Sequence, residues 1–379
     1  MPVYFDNAAT TPILPEVVDA MCQTLKNTFG NPSSSHAFGR EAKGKLETSR
    51  RTVAKYLNCS PGEIIFTSGG TEADNMAFVT AIEQLGVKHI ITSKIEHHAV
   101  GHTAEKYAHD KNIRLSYVNL DAKGSVNYAH LEELLQQSSN AFVSLMHANN
   151  EIGTLLDLKR VSALCRKYNA YFHSDTVQTM GHYAFDLQDL DIDFLTCAAH
   201  KLHGPKGIGF LYINKAIKPS NLIHGGAQER GFRAGTENIA GIVGLAKAIE
   251  IAYDNLEAHQ QHVQGLKSYF MEMLQQKIEN VSFNGETEPA KSLYTVLSCS
   301  FPKNEKSGIL LFTLDLKGVA CSGGSACTSG ANKGSHVLEG IEADVNRPTI
   351  RFSFSHLNKK EEVEFAVERL REIFTPITA

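Results

Sequence analysis

Short strand-like apolar runs alternate with longer helical patterns through the first half of the chain, and few folds accept that rhythm. "EIIFTS" (Glu63–Ser68) precedes the helical pattern "TEADNMAFVTAIEQLG", and "HIITS" (His89–Ser93) precedes a polar helix-like stretch. "AFVSLMHA" (Ala141–Ala148) precedes "LKRVSALCRKY", and "AYFHSD" (Ala170–Asp175) follows it. This alternation predicts an α/β fold with a mainly parallel sheet and helices on both faces. Functional side chains are then expected at the carboxyl ends of the strands. From about Glu237 the pattern changes to two long helical stretches, Glu237–Glu257 and His262–Ile278. "YTVLSCSF", a helix-like "SGILLFTLDLKG", a run of small residues, "TIRFSFS" and an amphipathic stretch over Lys359–Phe374 follow. That half reads as a smaller α+β domain.

Charge and composition exclude several partners. The net charge of −4 over 379 residues gives no electrostatic reason to bind nucleic acid or an anionic membrane. The longest apolar stretch, "IAGIVGLAKAIEIA" from Ile239, carries a lysine and a glutamate and falls short of a membrane span. Met1–Thr11 lacks the basic and apolar regions of a signal peptide, so a cytoplasmic location is expected. Seven cysteines, an odd number without a CxxC pair, argue against a disulfide framework and a zinc knuckle. Free thiols are expected instead.

Three motifs carry chemistry. "TSGGTEADN" (Thr67–Asn75) follows a strand and opens a helix, where free N–H groups attract an anion such as phosphate. The plain alternative is a strand–helix turn with a threonine cap. "HSDTVQ" puts Asp175 at a strand end, where a buried carboxylate needs a partner. "CAAHKLHGPKG" puts Lys201 just past the next strand-like run. Singly, these read as a helix cap and a surface lysine. Together, a lysine for a Schiff base, a carboxylate for a pyridinium proton and a phosphate-binding helix end form the kit for pyridoxal phosphate. "GPKGIG" (Gly204–Gly209) is not a dinucleotide fingerprint. His98 and His102 have the four-residue spacing of metal ligands, but no third ligand stands at a recognisable spacing. A ring stacked on a pyridine is the better use of one histidine in "EHHAVGH".

The ordered motifs "YFDNAATTP", "FGNPSSSHAFGR", "FTSGGTEADN", "HIITSKIEHHAV", "MHANNEIG", "HSDTVQ", "AHKLHGPKGIG", "ERGFRAGTEN", "SGGSACTSG" and "IRFSFS" span most of the chain. In this order they resemble the class I, NifS/IscS-like cysteine desulfurases. The resemblance implies a pyridoxal-phosphate-dependent enzyme of fold type I and a homodimer with shared active sites. It implies a large domain over residues 15–257 and a small domain of residues 1–14 and 258–379. The small domain would carry a catalytic loop at about 321–336. Lys201 matches the lysine that binds pyridoxal 5'-phosphate covalently, Asp175 the partner of the pyridine nitrogen, and His97 the ring stacker. Gly70, Thr71 and His200 match phosphate contacts, and Asn150 and Gln178 match residues near the phenolic oxygen, with Asn150 also bordering the substrate. Thr236 matches the threonine that reaches the neighbouring subunit's phosphate. Arg351 matches the clamp on the substrate carboxylate, and Cys327 the catalytic cysteine. The implied reaction turns L-cysteine into L-alanine and leaves a persulfide on that cysteine. Its sulfur would pass to a protein acceptor such as an iron–sulfur scaffold or a sulfur carrier.

Two departures from the family pattern stand out. Ala198 replaces a serine that commonly donates to the phosphate, a neutral hydrogen bond worth about 0.5–1.5 kcal/mol. "GANKGSHVL" lacks a proline that often follows the catalytic cysteine. Cys321 is a rival nucleophile, although it ends an apolar run and is expected to pack behind the loop. Cys22, Cys59, Cys165, Cys197 and Cys299 are expected to be small core residues. A selenocysteine lyase or another β-lyase, and a non-catalytic sulfur-relay scaffold, are the competing functions.

Overall fold

The computed structural model describes residues 2–323 and 334–374. Among them a short strand β1 (Val3–Tyr4) leads into helices α1 (Pro15–Asn27) and α2 (Ala37–Tyr56). The predicted alternation then appears as β2 (Ile64–Thr67), α3 (Gly70–Val79), β3 (His89–Thr92), α4 (His98–Asp110), β4 (Arg114–Tyr117) and α5 (Tyr128–Gln136). It continues as β5 (Ala141–Ser144), α6 (Leu158–Lys167), β6 (Tyr171–Asp175), β7 (Phe194–Ala198) and β8 (Gly209–Ile213).

These strands form one seven-stranded sheet in the order β2-β8-β7-β6-β5-β3-β4. From β4 to β7 every pairing is parallel, while β8 runs antiparallel to both β7 and β2. No crossover helix joins β7 to β8, and a parallel pairing would need one. Side-chain alternation sends successive strand residues to opposite faces. Ile64, Phe66, Val143, Phe172 and Leu195 pack with residues of α2, α6 and α7 (Ile239–Asp254) on one face. Ile65, Ile90, Phe142 and Phe194 pack with residues of α3 and α4 on the other. The direction of strand succession reverses between β3 and β5, the place where α/β sheets open a crevice at the strand carboxyl ends.

A second core surrounds an antiparallel three-stranded sheet of β9 (Ser282–Asn284), β10 (Val296–Ser300) and β12 (Thr349–Ser353). Helices α8 (Leu256–Lys277) and α11 (Lys360–Phe374) cover it through Phe270, Leu274, Val367 and Leu370. Helix α9 (Leu310–Leu316) leads to β11 (Val319–Ala320), which pairs in parallel with β1. Val3 and Phe5 therefore belong to this core, far in sequence from its other members. Helix α10 (His336–Gly340) is pinned through Val337 and Ile341 against Ile95 and Ile152.

Cys165, Cys197 and Cys299 are buried and Cys59 partly so, but Cys22 is exposed. On α1 the buried positions are Val17 and Thr24, and the helical spacing turns Cys22 away from them. The expectation of a core role for Cys22 is therefore wrong. Among the described residues, no helix is long and apolar enough to cross a membrane.

Candidate active site

A cavity of about 330 Å³ opens at the carboxyl ends of β5, β6 and β7. It gathers Gly70, Thr71, His97, Asn150, Asp175, Gln178, His200, Lys201 and Arg351. Each element delivers its residue for a local reason. Asp175 is the last residue of β6, 6% exposed, and its Oδ1 accepts the Val177 N–H at 2.8 Å. That bond is the helix-cap-like role, and it engages only one oxygen. Lys201 ends a single 3-10 turn directly after β7. Its Nζ donates to the carbonyls of Ala8 and Ala9, the latter at 2.7 Å. His97 caps α4, with Nδ1 accepting the Ala99 N–H at 3.2 Å. A ring held this way to the backbone has a fixed orientation.

Gly70 and Thr71 open α3, so the free N–H groups of that helix end face the cavity. A Cβ on Gly70 would come within 2.8 Å of Val177 Cγ2, another lining residue. Gly209 has a different task. A Cβ there would meet the Cys197 carbonyl oxygen at 2.2 Å and Gly69 Cα at 2.9 Å. The last glycine of "GPKGIG" thus lets β8 pass behind the helix-opening turn.

His200 Nδ1 lies 3.2 Å from Thr10 Oγ1, and Gln178 Nε2 donates to Ala8 O at 3.1 Å. Arg351 is 2% exposed. Its Nη2 meets Asp6 Oδ1 and its Nη1 meets the Asn150 carbonyl, each at 2.9 Å. Its Nε has no hydrogen-bond partner among the described residues.

The electrostatics are unusual for so small a space. Burial and the neighbouring Asp74 push the Asp175 carboxyl above its ordinary range. Burial pushes Asp74 up to about 7 and Glu96 up to about 8. Desolvation lowers His97, and it lowers His200 to about 4 with help from Lys201 and Lys206. Acids that resist ionisation and imidazoles that stay neutral leave the cavity ready for a ligand that brings its own charges.

Two predicted residues are not in this cavity. Thr236 is exposed and lines a separate hollow of about 160 Å³ with Ser68, Gly207 and Arg233. Cys327 lies outside the described residues. The chain on either side of it is anchored. Ser322 Oγ donates to Asp6 Oδ1 at 2.9 Å, Ser335 Oγ donates to Glu151 at 2.5 Å, and His336 Nε2 contacts the Glu96 carbonyl at 2.9 Å. Cys321 packs partly against the second core, and burial beside Asp6 and Asp315 pushes its thiol up to about 12. A thiol held that firmly in its protonated form is a poor nucleophile. His98 stacks between His102 and His336, with ring centroids 4.7 and 4.5 Å away. Among the described residues, only Asp74, His97 and Asp175 gather three ligating atoms within 4.8 Å.

Sequence reasoning passed over Asp74, Glu96, Glu151 and His336. Asp74, Glu96 and Glu151 lie inside the quoted motifs "FTSGGTEADN", "HIITSKIEHHAV" and "MHANNEIG", which was the available signal.

The residues present fit pyridoxal phosphate. A helix N-terminus for an anion, a lysine amine, and a carboxylate with an uncommitted oxygen at a strand end line one cavity. Such a donor set on a parallel sheet defines an enzyme that uses this cofactor. The chain matches the family described as aminotransferase class-V over residues 3–365. It is 42% identical over 378 residues to a cysteine desulfurase IscS of Dictyoglomus turgidum, covering 98% of this chain and 94% of that one. It is 41% identical to a putative cysteine desulfurase IscS 1 of Bacillus subtilis, covering 99% of each. A solved NifS-like protein superposes with a TM-score of 0.90 at 37% identity, covering 98% of this chain and 99% of that one. The chain belongs to the class-V aminotransferase family and, within it, to the pyridoxal-phosphate-dependent cysteine desulfurases.

Proposed function

We propose that the chain converts L-cysteine to L-alanine and retains the sulfur as a persulfide on Cys327 for delivery to a protein acceptor. The observation that carries this reading is the meeting of Lys201, Asp175, His97 and Arg351 in one cavity. Lys201 anchors pyridoxal 5'-phosphate covalently and moves a proton at the substrate Cα. Bound there, the cofactor supplies an electron sink for the pair left when the Cα–H bond breaks. Asp175 would hold a proton on the ring nitrogen, and His97 would stack on the ring. Gly70, Thr71 and His200 would take the phosphate, and Asn150 and Gln178 would border the phenolic oxygen.

Arg351 seats the substrate carboxylate. Asp6 and the Asn150 carbonyl fix its guanidinium plane. A planar fork held this way is suited to a carboxylate. The Cys327 thiolate then attacks the substrate sulfur. An S–S bond forms as the Cβ–S bond breaks, and the electron pair of that bond stays with Cβ. Cβ takes a proton to become the methyl group of L-alanine, so no external oxidant is needed. Holoenzyme supplied with L-cysteine should release L-alanine. Absence of alanine from a fully loaded enzyme would contradict the reading.

The active unit in this reading is a cytoplasmic homodimer. Its sulfur goes to an iron–sulfur scaffold or sulfur carrier, supporting iron–sulfur cluster assembly. Thr236 serves the partner's phosphate, in keeping with its exposure away from its own cavity. Thr236→Ala should weaken cofactor retention. Mixed dimers of a Thr236 variant and a Lys201 variant should regain one partly active site. A fully active, fully loaded monomer would exclude the sharing. The division into residues 15–257, and residues 1–14 with 258–379, draws support from the two cores and from Phe5 in the second. Cys321→Ser should keep most of the activity, measured as alanine release. A loss as large as that of a Cys327 variant would move the nucleophile to Cys321.

A further inference from the structure

Asp74 lines the cavity without a role in the scheme above. It sits one helical turn past Gly70 on α3 and is 1% exposed. Its Oδ1 has no hydrogen-bond partner among the described residues. The closest ring nitrogen, His173 Nε2, is 3.4 Å away and already lies 3.1 Å from Thr196 Oγ1. Buried carboxyl oxygens without a donor are rare in native proteins, and each one needs an explanation.

The surroundings supply one. Asp74, His97 and Asp175 bring their ligating atoms within 4.8 Å of one another. The groups facing Asp74 are His173 and Asp175 from β6, Glu96 and His97 from the loop before α4, and Thr196 from β7. Desolvation lowers both imidazoles, so neither supplies a positive charge. The Lys201 amine is turned to the carbonyls of Ala8 and Ala9. Asp74 and Asp175 therefore converge on one part of the cavity wall, with the buried Glu96 near enough to add to their mutual repulsion. Two carboxylates this close repel unless a proton or a cation lies between them. The spacing would also admit a divalent ion. However, these atoms line the cavity that takes the cofactor, so the cation expected here is the protonated ring nitrogen.

We propose that Asp74 is a positioning residue for the cofactor's ring nitrogen: paired with Asp175, it keeps that nitrogen protonated to higher pH than Asp175 alone. Asp175 would touch the nitrogen, and Asp74, ionised once that positive charge is beside it, would act through Asp175 by adding negative potential next to it. The sign follows from charge, because a nearby anion raises the proton affinity of a base that becomes a cation. The inference rests on reading the cavity as the pyridoxal phosphate site.

The test uses holoenzyme loaded with pyridoxal phosphate carrying ¹⁵N in the ring, followed by its nitrogen chemical shift against pH. Wild type, Asp74→Asn and Asp175→Asn are compared, the amides being close in shape to the acids. Wild type should stay protonated furthest into alkali. Asp74→Asn should lose the ring proton about one pH unit earlier, a tenfold change in proton affinity, with unchanged cofactor occupancy. Asp175→Asn should be unprotonated across the range. Identical titrations of wild type and Asp74→Asn would overturn the proposal and leave the reading of the cavity intact. Folded Asp74→Asn that retains no cofactor would also overturn it, since Lys201 and the phosphate end are untouched. Wild type that takes up no pyridoxal phosphate would overturn the cavity reading, and this proposal with it.

Discussion

Lys201→Ala is expected to lose the yellow absorbance of covalently bound cofactor and nearly all turnover of L-cysteine. The loss should be on the order of 10⁴-fold or more, at the upper end of what a positioned proton-transfer group contributes. In the proposed reaction one residue is both the covalent anchor and the group that moves the Cα proton. Its position favours both tasks. It ends the turn after β7, and carbonyls from the chain's opening segment hold its amine at the cavity wall. The folded chain should survive, because Lys201 is not part of the hydrophobic cores. Visible absorbance and alanine release measured together check the prediction. A yellow variant with an unshifted band would mean that another amine carries the cofactor.

Cys327→Ser is expected to keep the cofactor and bind L-cysteine, because Lys201, Asp175 and Arg351 are unchanged. Alanine release should fall by at least about 10³-fold, within the range seen when a catalytic nucleophile is removed. A serine hydroxyl is too weakly acidic to attack sulfur near neutral pH. Cys321 is expected to be a poor substitute, since burial pushes its thiol well above its ordinary range. Binding is read from the absorbance change on adding L-cysteine, and chemistry from alanine. Cys327→Ser that releases alanine at the wild-type rate would remove Cys327 from the reaction.

The parts of the fold legible in the sequence are those where local pattern and tertiary packing agree. The β2–α3 and β3–α4 pairs follow strand runs buried from end to end, and α6–β6 ends on a run buried from Phe172 onward. Strand β8 was less legible. It follows the glycine-rich "GPKGIG" without a helix, and Gly209, which reads as a loop residue, is its first member. Helix α2 is polar along most of its length. One of its buried contacts is Arg50, held by two hydrogen bonds to Glu229, 179 residues away. No local pattern announces such a pair.

The site divides in the same way. Asp175 and Lys201 were legible because polar residues just past strand-like runs point to the sheet's carboxyl edge. Asp74 was not, because a polar residue in the second turn of a helix ordinarily faces solvent. Only the packing of α3 against β6 and β7 buries it. His98 and His102 show the converse, since metal-ligand spacing on a helix yields a stack of rings with His336. Cys22 shows that a small apolar residue type does not determine which helix face it occupies.

In the proposed reaction this cavity moves sulfur from L-cysteine to one thiol of the chain. Its most direct test is a peptide map of holoenzyme after a brief exposure to L-cysteine, with persulfides trapped by a thiol-selective alkylating label. One added sulfur atom is expected on the peptide containing Cys327, formed together with an equal amount of L-alanine, and none on the peptides of the buried cysteines. Sulfur confined to another cysteine, or alanine formed while the Cys327 peptide stays unmodified, would contradict it.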